Sequence, residues 1–273
     1  MPNKHINGKS LYYTIDEPAQ KALATVILIH GLGSSSSYFL PVIPYLTPSI
    51  RCIAVDIAGS GLSELGESEQ TIDSISVDVV SLLDALDIKN NVTIVGHSMG
   101  GIVASHFAAG HGNRVNGVVL IGPVNPSDAI SRLFVSRLED VKQDGVEGLA
   151  KSIPAAATGK LSTSLHHAFI RNLIIRTSAE GYMSLCRVIS TAKVPNYEAI
   201  TAPLLLIAGS DDKTAPMEGC EAIIQRYATS KALKNTKVLE GIGHWHCIEA
   251  GDVVAKHIKD FALRESVLSS EGI

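Results

Sequence analysis

The hydrophobic pattern of the chain alternates between short apolar runs and longer segments of helical periodicity. Continuous apolar runs of strand length occupy residues 26–29, 52–55, 92–95, 118–121, 203–207 and 237–239. Runs of this kind are typical of strands covered on both faces. Asn7-Gly8 is a strong turn signal and predicts an additional hairpin over residues 5–15. Helical spacing is clearest over residues 72–86 and 253–263, with a short helix expected over 38–46.

The pattern changes after the run at 118–121. From about residue 124 to 196 no strand-like run occurs, and apolar residues recur at helical spacing, with breaks expected at 153–154 and 158–159. We therefore predict an α/β core built from residues 1–123 and 200–273, and a helical cap over residues 124–199. Because open α/β sheets bind ligands at the carboxyl ends of their strands, the cap is expected to cover that edge.

One segment carries a nucleophile signature. Gly96-His-Ser-Met-Gly100 follows the apolar run at 92–95 and precedes an apolar helical segment, which fits the G-x-S-x-G elbow. A serine at a sharp strand-to-helix turn has a strained backbone, and side chains two residues to either side would clash. Ser98 is therefore the predicted nucleophile, and an ordinary turn serine is the alternative.

A serine nucleophile needs a base, and the base needs an orienting acid. Two carboxylates, Asp211 and Asp212, follow the run at 203–207, although turn formation is a simpler role for loop aspartates. His244 lies between Gly243 and an aromatic residue after the last predicted strand, and His246 is its competitor. From spacing alone, either aspartate could be the catalytic acid and either histidine could be the base.

Backbone N–H groups must also stabilise the oxyanion of an acyl-transfer reaction. Met99, directly after the serine, is predicted to supply one N–H group. Leu32, in the His30-Gly31-Leu32 loop after the run at 26–29, is predicted to supply the other. For His30 itself the simpler expectation is structural, namely that it holds this loop by hydrogen bonds.

Composition narrows the function classes further. The net charge of −4 and the absence of a basic cluster argue against nucleic-acid binding. The four cysteines form no C-x-x-C pair, and although His244, His246 and Cys247 lie close in sequence, no further ligand cluster accompanies them, so no metal is expected. No apolar segment reaches membrane-spanning length and no signal-peptide pattern is visible, so we expect no membrane association and a cytoplasmic location.

These motifs, in this order, resemble the α/β-hydrolase fold family. The resemblance rests on the elbow, on His30-Gly-Leu32, on Asp56-x-x-Gly59-x-Gly61, on Gly209-x-x-Asp212-x-x-x-Pro216 and on Gly243-His244. It implies a mostly parallel eight-stranded sheet flanked by helices, with a small helical cap inserted after strand 6. It also implies Ser98 as nucleophile, Asp212 as acid and His244 as base, without a cofactor.

A finer resemblance, to the 3-oxoadipate enol-lactonase-like and small esterase branch, rests on Gly181-Tyr182 and on Gly145-Val-Glu-Gly-Leu-Ala150. It implies hydrolysis of a small to medium hydrophobic ester or lactone. A serine at the elbow argues against epoxide hydrolases and haloalkane dehalogenases of this fold, which use Asp there. The alternatives are a C–C bond hydrolase on the same triad and a ligand receptor with little turnover.

The sequence says least about which residues contact the substrate. Tyr182 and Trp245 are the candidate substrate-binding residues. We expect a small-molecule partner and a monomer or homodimer. Five cap arginines are expected to face solvent, although one of them could bind a carboxylate: Arg132, Arg137, Arg171, Arg176 and Arg187.

Overall fold

The protein is built around one eight-stranded sheet. A computed structural model describes residues 2–271. The strands are β1 Asn3–Ile6, β2 Lys9–Asp16, β3 Ala24–Ile29, β4 Ile50–Val55, β5 Val92–His97, β6 Val115–Ile121, β7 Leu204–Gly209 and β8 Lys234–Leu239. Their spatial order is β1-β2-β4-β3-β5-β6-β7-β8. The pairs β1–β2 and β2–β4 are antiparallel, and every pair from β4 to β8 is parallel.

Helices connect and flank the parallel strands. They are α1 Ile43–Leu46, α2 Ile72–Ala85, α3 Met99–Gly110, α4 Asp128–Ala156, α5 Ser164–Ile175, α6 Ala179–Ser190, α7 Met217–Arg226, α8 His246–Glu249 and α9 Gly251–Glu271. This architecture confirms the predicted fold class, a mostly parallel sheet flanked by helices. Within residues 2–271, no helix combines the length and the apolar character that crossing a membrane requires.

The strands extend beyond the apolar runs that predicted them. In β8, for example, the run at 237–239 is preceded by Lys234, Asn235 and Thr236, which pair in register with β7. An edge strand tolerates polar side chains because one of its sides faces solvent. The central strand β5 is buried along its whole length, and it leads directly into the elbow.

The helical segment predicted between the sixth and seventh strands consists of α4, α5 and α6, with α4 packed against the other two. The expected break at 153–154 is absent, because Pro154 lies inside the last turn of α4. The irregularity occurs instead at Gly145, whose backbone has φ 66° and ψ −172°. Glycine tolerates this positive φ, so the two halves of α4 run in different directions. The division into core and cap at residues 124 and 199 stays a prediction.

Candidate active site

The elbow places Ser98 between the end of β5 and the start of α3. Its backbone has φ 56° and ψ −118°, a strained conformation for a residue with a side chain. A Cβ at Gly96 would overlap with the carbonyl of Gly100, and a Cβ at Gly100 would overlap with the carbonyl of Ile29. The two glycines are therefore a steric requirement of the turn, as the sequence pattern predicts.

Three side chains that are far apart in the sequence meet at this turn. His244 Nε2 lies 2.9 Å from Ser98 Oγ, and His244 Nδ1 lies 2.8 Å from Asp212 Oδ2. A carboxylate oxygen only accepts, so His244 Nδ1–H donates to Asp212 and the free Nε2 accepts from the Ser98 hydroxyl. All three residues are buried. This arrangement of acid, imidazole and hydroxyl can activate a serine nucleophile.

Geometry distinguishes the two candidate acids. Asp212 Oδ1 accepts from the N–H groups of Thr214 and Ala215 at 2.8 and 2.9 Å, which leaves Oδ2 for His244. Burial opposes ionisation of Asp212, but the charge of His244 and these hydrogen bonds outweigh it and lower the pKa of the carboxyl. Asp211 instead accepts from the Lys160 N–H at 3.0 Å, so its role is to hold the cap segment.

His246, the competing base, supports the backbone of His244. His246 Nδ1–H donates to the His244 carbonyl at 2.9 Å, and His97 Nε2–H donates to the same carbonyl at 2.8 Å. Burial lowers the pKa of His246 to about 4 and the pKa of His97 well below its usual value, which keeps both rings neutral near pH 7. The role of these two histidines was missed by sequence reasoning, because the bonds join distant segments.

The second predicted oxyanion donor lies beside the serine. A Cβ on Gly31 would come within 2.8 Å of the Ser98 Cβ, and Leu32 lines the same cavity as Ser98. His30 Nδ1–H donates to the Gly31 carbonyl at 2.7 Å, and its Nε2 accepts from the Ile57 N–H at 3.0 Å. Because C=O and N–H point in opposite directions across a trans peptide, His30 fixes the direction of the Leu32 N–H.

Met99, the other predicted donor, is the first residue of α3. The first N–H groups of a helix have no partner within the helix, and the helix dipole favours negative charge at this end. Leu32 and Met99 therefore both lie beside Ser98, while their role as oxyanion donors stays a prediction.

A cavity of about 140 Å³ adjoins Ser98 and His244. Both candidate substrate-binding residues, Tyr182 and Trp245, line it. Arg137 also lines the cavity and is only partly exposed, whereas the other four cap arginines are exposed. The expectation that the cap arginines face solvent is therefore wrong for Arg137. Thr214 adds a hydroxyl to the wall, and the other lining residues are apolar: Leu32, Phe134, Ile153, Ala156, Ala157 and Ile174.

Glu249 connects the cap to the loop that carries His244. Its Oε2 accepts from the N–H groups of Gly159 and Gly243 at 2.7 and 3.0 Å, and its Oε1 accepts from the Trp245 N–H at 3.0 Å. The His244 N–H in turn donates to the Ala157 carbonyl at 2.7 Å. Glu249 was also missed by sequence reasoning, since no motif distinguishes it from other helical glutamates.

The histidine-rich loop was the part of the sequence most similar to a metal site. Across residues 2–271, His, Cys, Asp and Glu side chains make no group of three or more arranged to hold a metal ion. Burial raises the pKa of the Cys247 thiol to about 12, which disfavours the thiolate needed for metal binding or nucleophilic attack.

Comparison with known proteins gives matches that extend over most of the chain. The sequence model of the alpha/beta hydrolase family matches residues 26–257. The 3-oxoadipate enol-lactonase 2 of Acinetobacter baylyi is 29% identical over 226 residues, which cover 78% of this chain and 81% of that protein.

Solved structures agree with this assignment of fold. The enol-lactonase from Burkholderia xenovorans LB400 superposes with a TM-score of 0.85 at 27% identity, covering 95% of this chain and 99% of that one. A thermophilic esterase from Thermogutta terrifontis superposes with a TM-score of 0.86 at 20% identity, covering 97% of this chain and 98% of that one. At this lower identity the likeness concerns the fold alone.

Proposed function

The chain belongs to the alpha/beta hydrolase family, and from that premise we propose that it is a cofactor-independent serine hydrolase of carboxylic esters or lactones. The observation that carries the proposal is the continuous hydrogen-bonded series from Asp212 through His244 to Ser98, with lengths of 2.8 and 2.9 Å. The enol-lactonase relatives support the same type of bond. Each step of the reaction follows from the placement of these side chains.

In the first half-reaction, Ser98 Oγ attacks the substrate carbonyl carbon while His244 Nε2 takes the hydroxyl proton. The carbonyl oxygen becomes an oxyanion, which accepts hydrogen bonds from the N–H groups of Leu32 and Met99. Asp212 stabilises the imidazolium that forms. His244 then gives its proton to the leaving alkoxide, the carbon–oxygen bond breaks, and an acyl-enzyme remains.

In the second half-reaction, His244 removes a proton from water, which attacks the acyl carbon. Collapse of the second tetrahedral intermediate returns the proton to Ser98 and releases the acid. With a lactone, the leaving alcohol stays attached to the acyl group, so hydrolysis gives a single hydroxy or oxo acid. The series of proton transfers is the same for both substrate types.

The cavity limits the substrate to a compact molecule. Pockets for drug-sized ligands usually occupy roughly 300–1,000 Å³, and the cavity beside Ser98 occupies about 140 Å³. Its wall is mainly apolar, with Tyr182 and Trp245 as the aromatic members. We therefore propose short-chain esters and small lactones as the substrate class.

The test is the Ser98→Ala variant, assayed against short-chain methyl and p-nitrophenyl esters and a panel of small lactones. Removing the nucleophile is expected to lower kcat by about 10⁴-fold or more. Ser164→Ala, an exposed serine on α5, serves as the matched control and should retain wild-type activity.

Turnover retained by Ser98→Ala would overturn the proposal. The two alternatives give different results. Cleavage of vinylogous diketones without cleavage of any ester or lactone indicates the C–C hydrolase. Reaction of Ser98 with a fluorophosphonate, without turnover of any substrate, indicates a receptor.

A further inference from the structure

We propose that the hydroxyl of Thr214 holds the water molecule that hydrolyses the acyl-enzyme. This inference rests on the proposed function and adds to it a residue that acts only in the second half-reaction. Thr214 Oγ1 accepts one hydrogen of this water, and His244 Nε2 accepts the other. The water oxygen is thereby directed at the acyl carbon on Ser98.

The first argument is the place of Thr214 in the site. Thr214 follows the acid by two residues and lines the same cavity as Ser98 and His244. Its N–H donates to Asp212 Oδ1 at 2.8 Å, while Asp212 Oδ2 accepts from His244 Nδ1–H at 2.8 Å. One carboxylate therefore holds both the backbone of Thr214 and the imidazole. Because the cavity occupies only about 140 Å³, a group on this part of its wall lies close to a molecule bound at His244.

The second argument is that the Thr214 hydroxyl is free to bind a ligand. Within residues 2–271 the Thr214 side chain forms no hydrogen bond, and the residue is only partly buried. Ser98 Oγ and both ring nitrogens of His244, by contrast, are engaged in the triad. A threonine hydroxyl offers one donor and two acceptor positions. All of them are available to a water molecule in the cavity.

The third argument is the state of the site after acylation. Once Ser98 Oγ is esterified it no longer donates to His244 Nε2, and this nitrogen can accept from water. A water molecule held by Nε2 alone rotates about that hydrogen bond, so its oxygen is poorly oriented toward the acyl carbon. Ordered waters at buried sites typically make two to four hydrogen bonds. A second acceptor beside His244 would fix the orientation of the nucleophile.

Thr214 fits this role better than the other polar residues of the wall. Outside the triad, only Tyr182 and Thr214 bring a side-chain oxygen to the cavity, and the remaining polar residues only donate. Tyr182 packs against the oxyanion loop, since a Cβ on Gly33 would come within 2.9 Å of Tyr182 Cε2. Thr214 is instead bound to the acid that orients His244. The acceptor on the side of the base is therefore Thr214.

The step balances without a further reactant. The water oxygen forms a bond with the acyl carbon, one proton passes to His244 Nε2, and the remaining hydrogen stays bonded to the water oxygen and donates to Thr214 Oγ1. The bond from the acyl carbon to Ser98 Oγ then breaks, and His244 returns its proton to Ser98 Oγ. Thr214 neither gains nor loses a proton. Deacylation depends on its hydroxyl, and acylation does not.

The experiment replaces Thr214 by Val, which has a similar shape and keeps the N–H that binds Asp212. With p-nitrophenyl acetate, kcat/KM reports acylation, and a pre-steady-state burst of p-nitrophenol reports accumulation of the acyl-enzyme. Thr214→Val should slow deacylation about tenfold, the effect of one lost hydrogen bond, and leave kcat/KM within about twofold of wild type. The burst should approach one p-nitrophenol per chain, which also counts the folded active sites. Thr214→Ser keeps the hydroxyl and should restore deacylation to within about threefold of wild type.

A competing nucleophile separates the positioning of water from a general defect. Methanol can donate its proton to His244, but it carries a methyl group in place of the second hydrogen of water and gains nothing from Thr214 Oγ1. In a fixed mixture of water and methanol, Thr214→Val should therefore raise the ratio of methyl acetate to acetate about tenfold. Thr236→Val is the matched control, because Thr236 is exposed on the edge strand β8. It should leave the rates and the ratio at their wild-type values.

The water site is refuted if Thr214→Val deacylates at the wild-type rate, if Thr214→Ser is as slow as Thr214→Val, or if the product ratio does not change. Equal losses in kcat and kcat/KM also refute it, since they indicate a contact with the substrate or a structural role. These outcomes leave the proposed hydrolysis intact. A wild type that releases no p-nitrophenol from any ester overturns the proposed hydrolysis and the water site together.

Discussion

Replacing Asp212 by Asn tests the acid in detail, because both oxygens of this carboxylate act as acceptors. Oδ1 accepts from the N–H groups of Thr214 and Ala215, and Oδ2 accepts from His244 Nδ1–H. Asparagine offers one accepting oxygen and one donating NH₂ group. Either orientation of the amide therefore points a donor at another donor, unless His244 changes its tautomer.

The two orientations have different costs. If the amide NH₂ faces Thr214 and Ala215, two backbone donors lose their acceptor, a cost of about 3 kcal/mol. If it faces His244, the imidazole must carry its proton on Nε2, and it can then no longer accept from Ser98. The second orientation is favoured, so the competent tautomer is reduced about 100-fold. Loss of the charge that stabilises the imidazolium adds to this, and together we expect kcat to fall by about 10³–10⁴-fold.

The assay is ester hydrolysis under saturating substrate, with circular dichroism to verify folding. Asp211→Asn is the matched control. Asp211 accepts from the Lys160 N–H and from the Ser210 hydroxyl, and an Asn oxygen can replace the first of these while the hydroxyl rotates. Activity of this control should stay within about tenfold of wild type. Equal losses in the two variants, or a larger loss in Asp211→Asn, would refute the assignment of the acid.

Three other changes test the supports of the site. Gly96→Ala should lower the free energy of unfolding, measured in urea, by at least about 3 kcal/mol. Its control is Gly110→Ala, which has open space around the added Cβ and should be neutral or stabilising by up to about 1 kcal/mol. Similar effects of the two variants would contradict the steric argument. Burial holds the pKa of His246 at about 4, so the unfolded chain binds more protons between about pH 6.5 and 4, and stability falls as the pH drops through that window. His246→Gln should reduce this slope by up to about 1.4 kcal/mol per pH unit, and an unchanged slope would argue against a neutral His246. Glu249→Gln leaves N–H groups without an acceptor, so it should lower the free energy of unfolding by about 1–3 kcal/mol and should also lower kcat. Unchanged stability and activity would show that Glu249 does not hold the cap to the catalytic loop.

The fold and the elbow could be predicted from sequence because their determinants are local. Buried parallel strands require continuous apolar runs, and the turn at Ser98 requires glycines at fixed positions around it. The strand ends were less predictable, since polar residues such as Lys234 continue an edge strand without an apolar signature. The kink at Gly145 and the intact turn at Pro154 depend on how the cap helices pack, which periodicity does not encode.

In the candidate site, too, residues that follow local motifs could be predicted, and residues placed by packing could not. Ser98, Asp212 and His244 follow motifs, and the structure brings them together as the family resemblance implies. Spacing alone could not separate Asp211 from Asp212, because the distinction lies in which backbone N–H groups each one meets. The place of Arg137 in the cavity wall was not predictable either, since it depends on the relative position of helices far apart in sequence.

The central claim, that Ser98 is the nucleophile of an acyl transfer, is tested most directly by mass spectrometry of the protein after reaction with an alkyl fluorophosphonate. One phosphonyl group per chain is expected, located on the peptide that contains Ser98, with loss of esterase activity in proportion to labelling. The label should be absent from Ser98→Ala and strongly reduced in His244→Ala. Failure to label the wild type, or a label on another residue, would contradict the account.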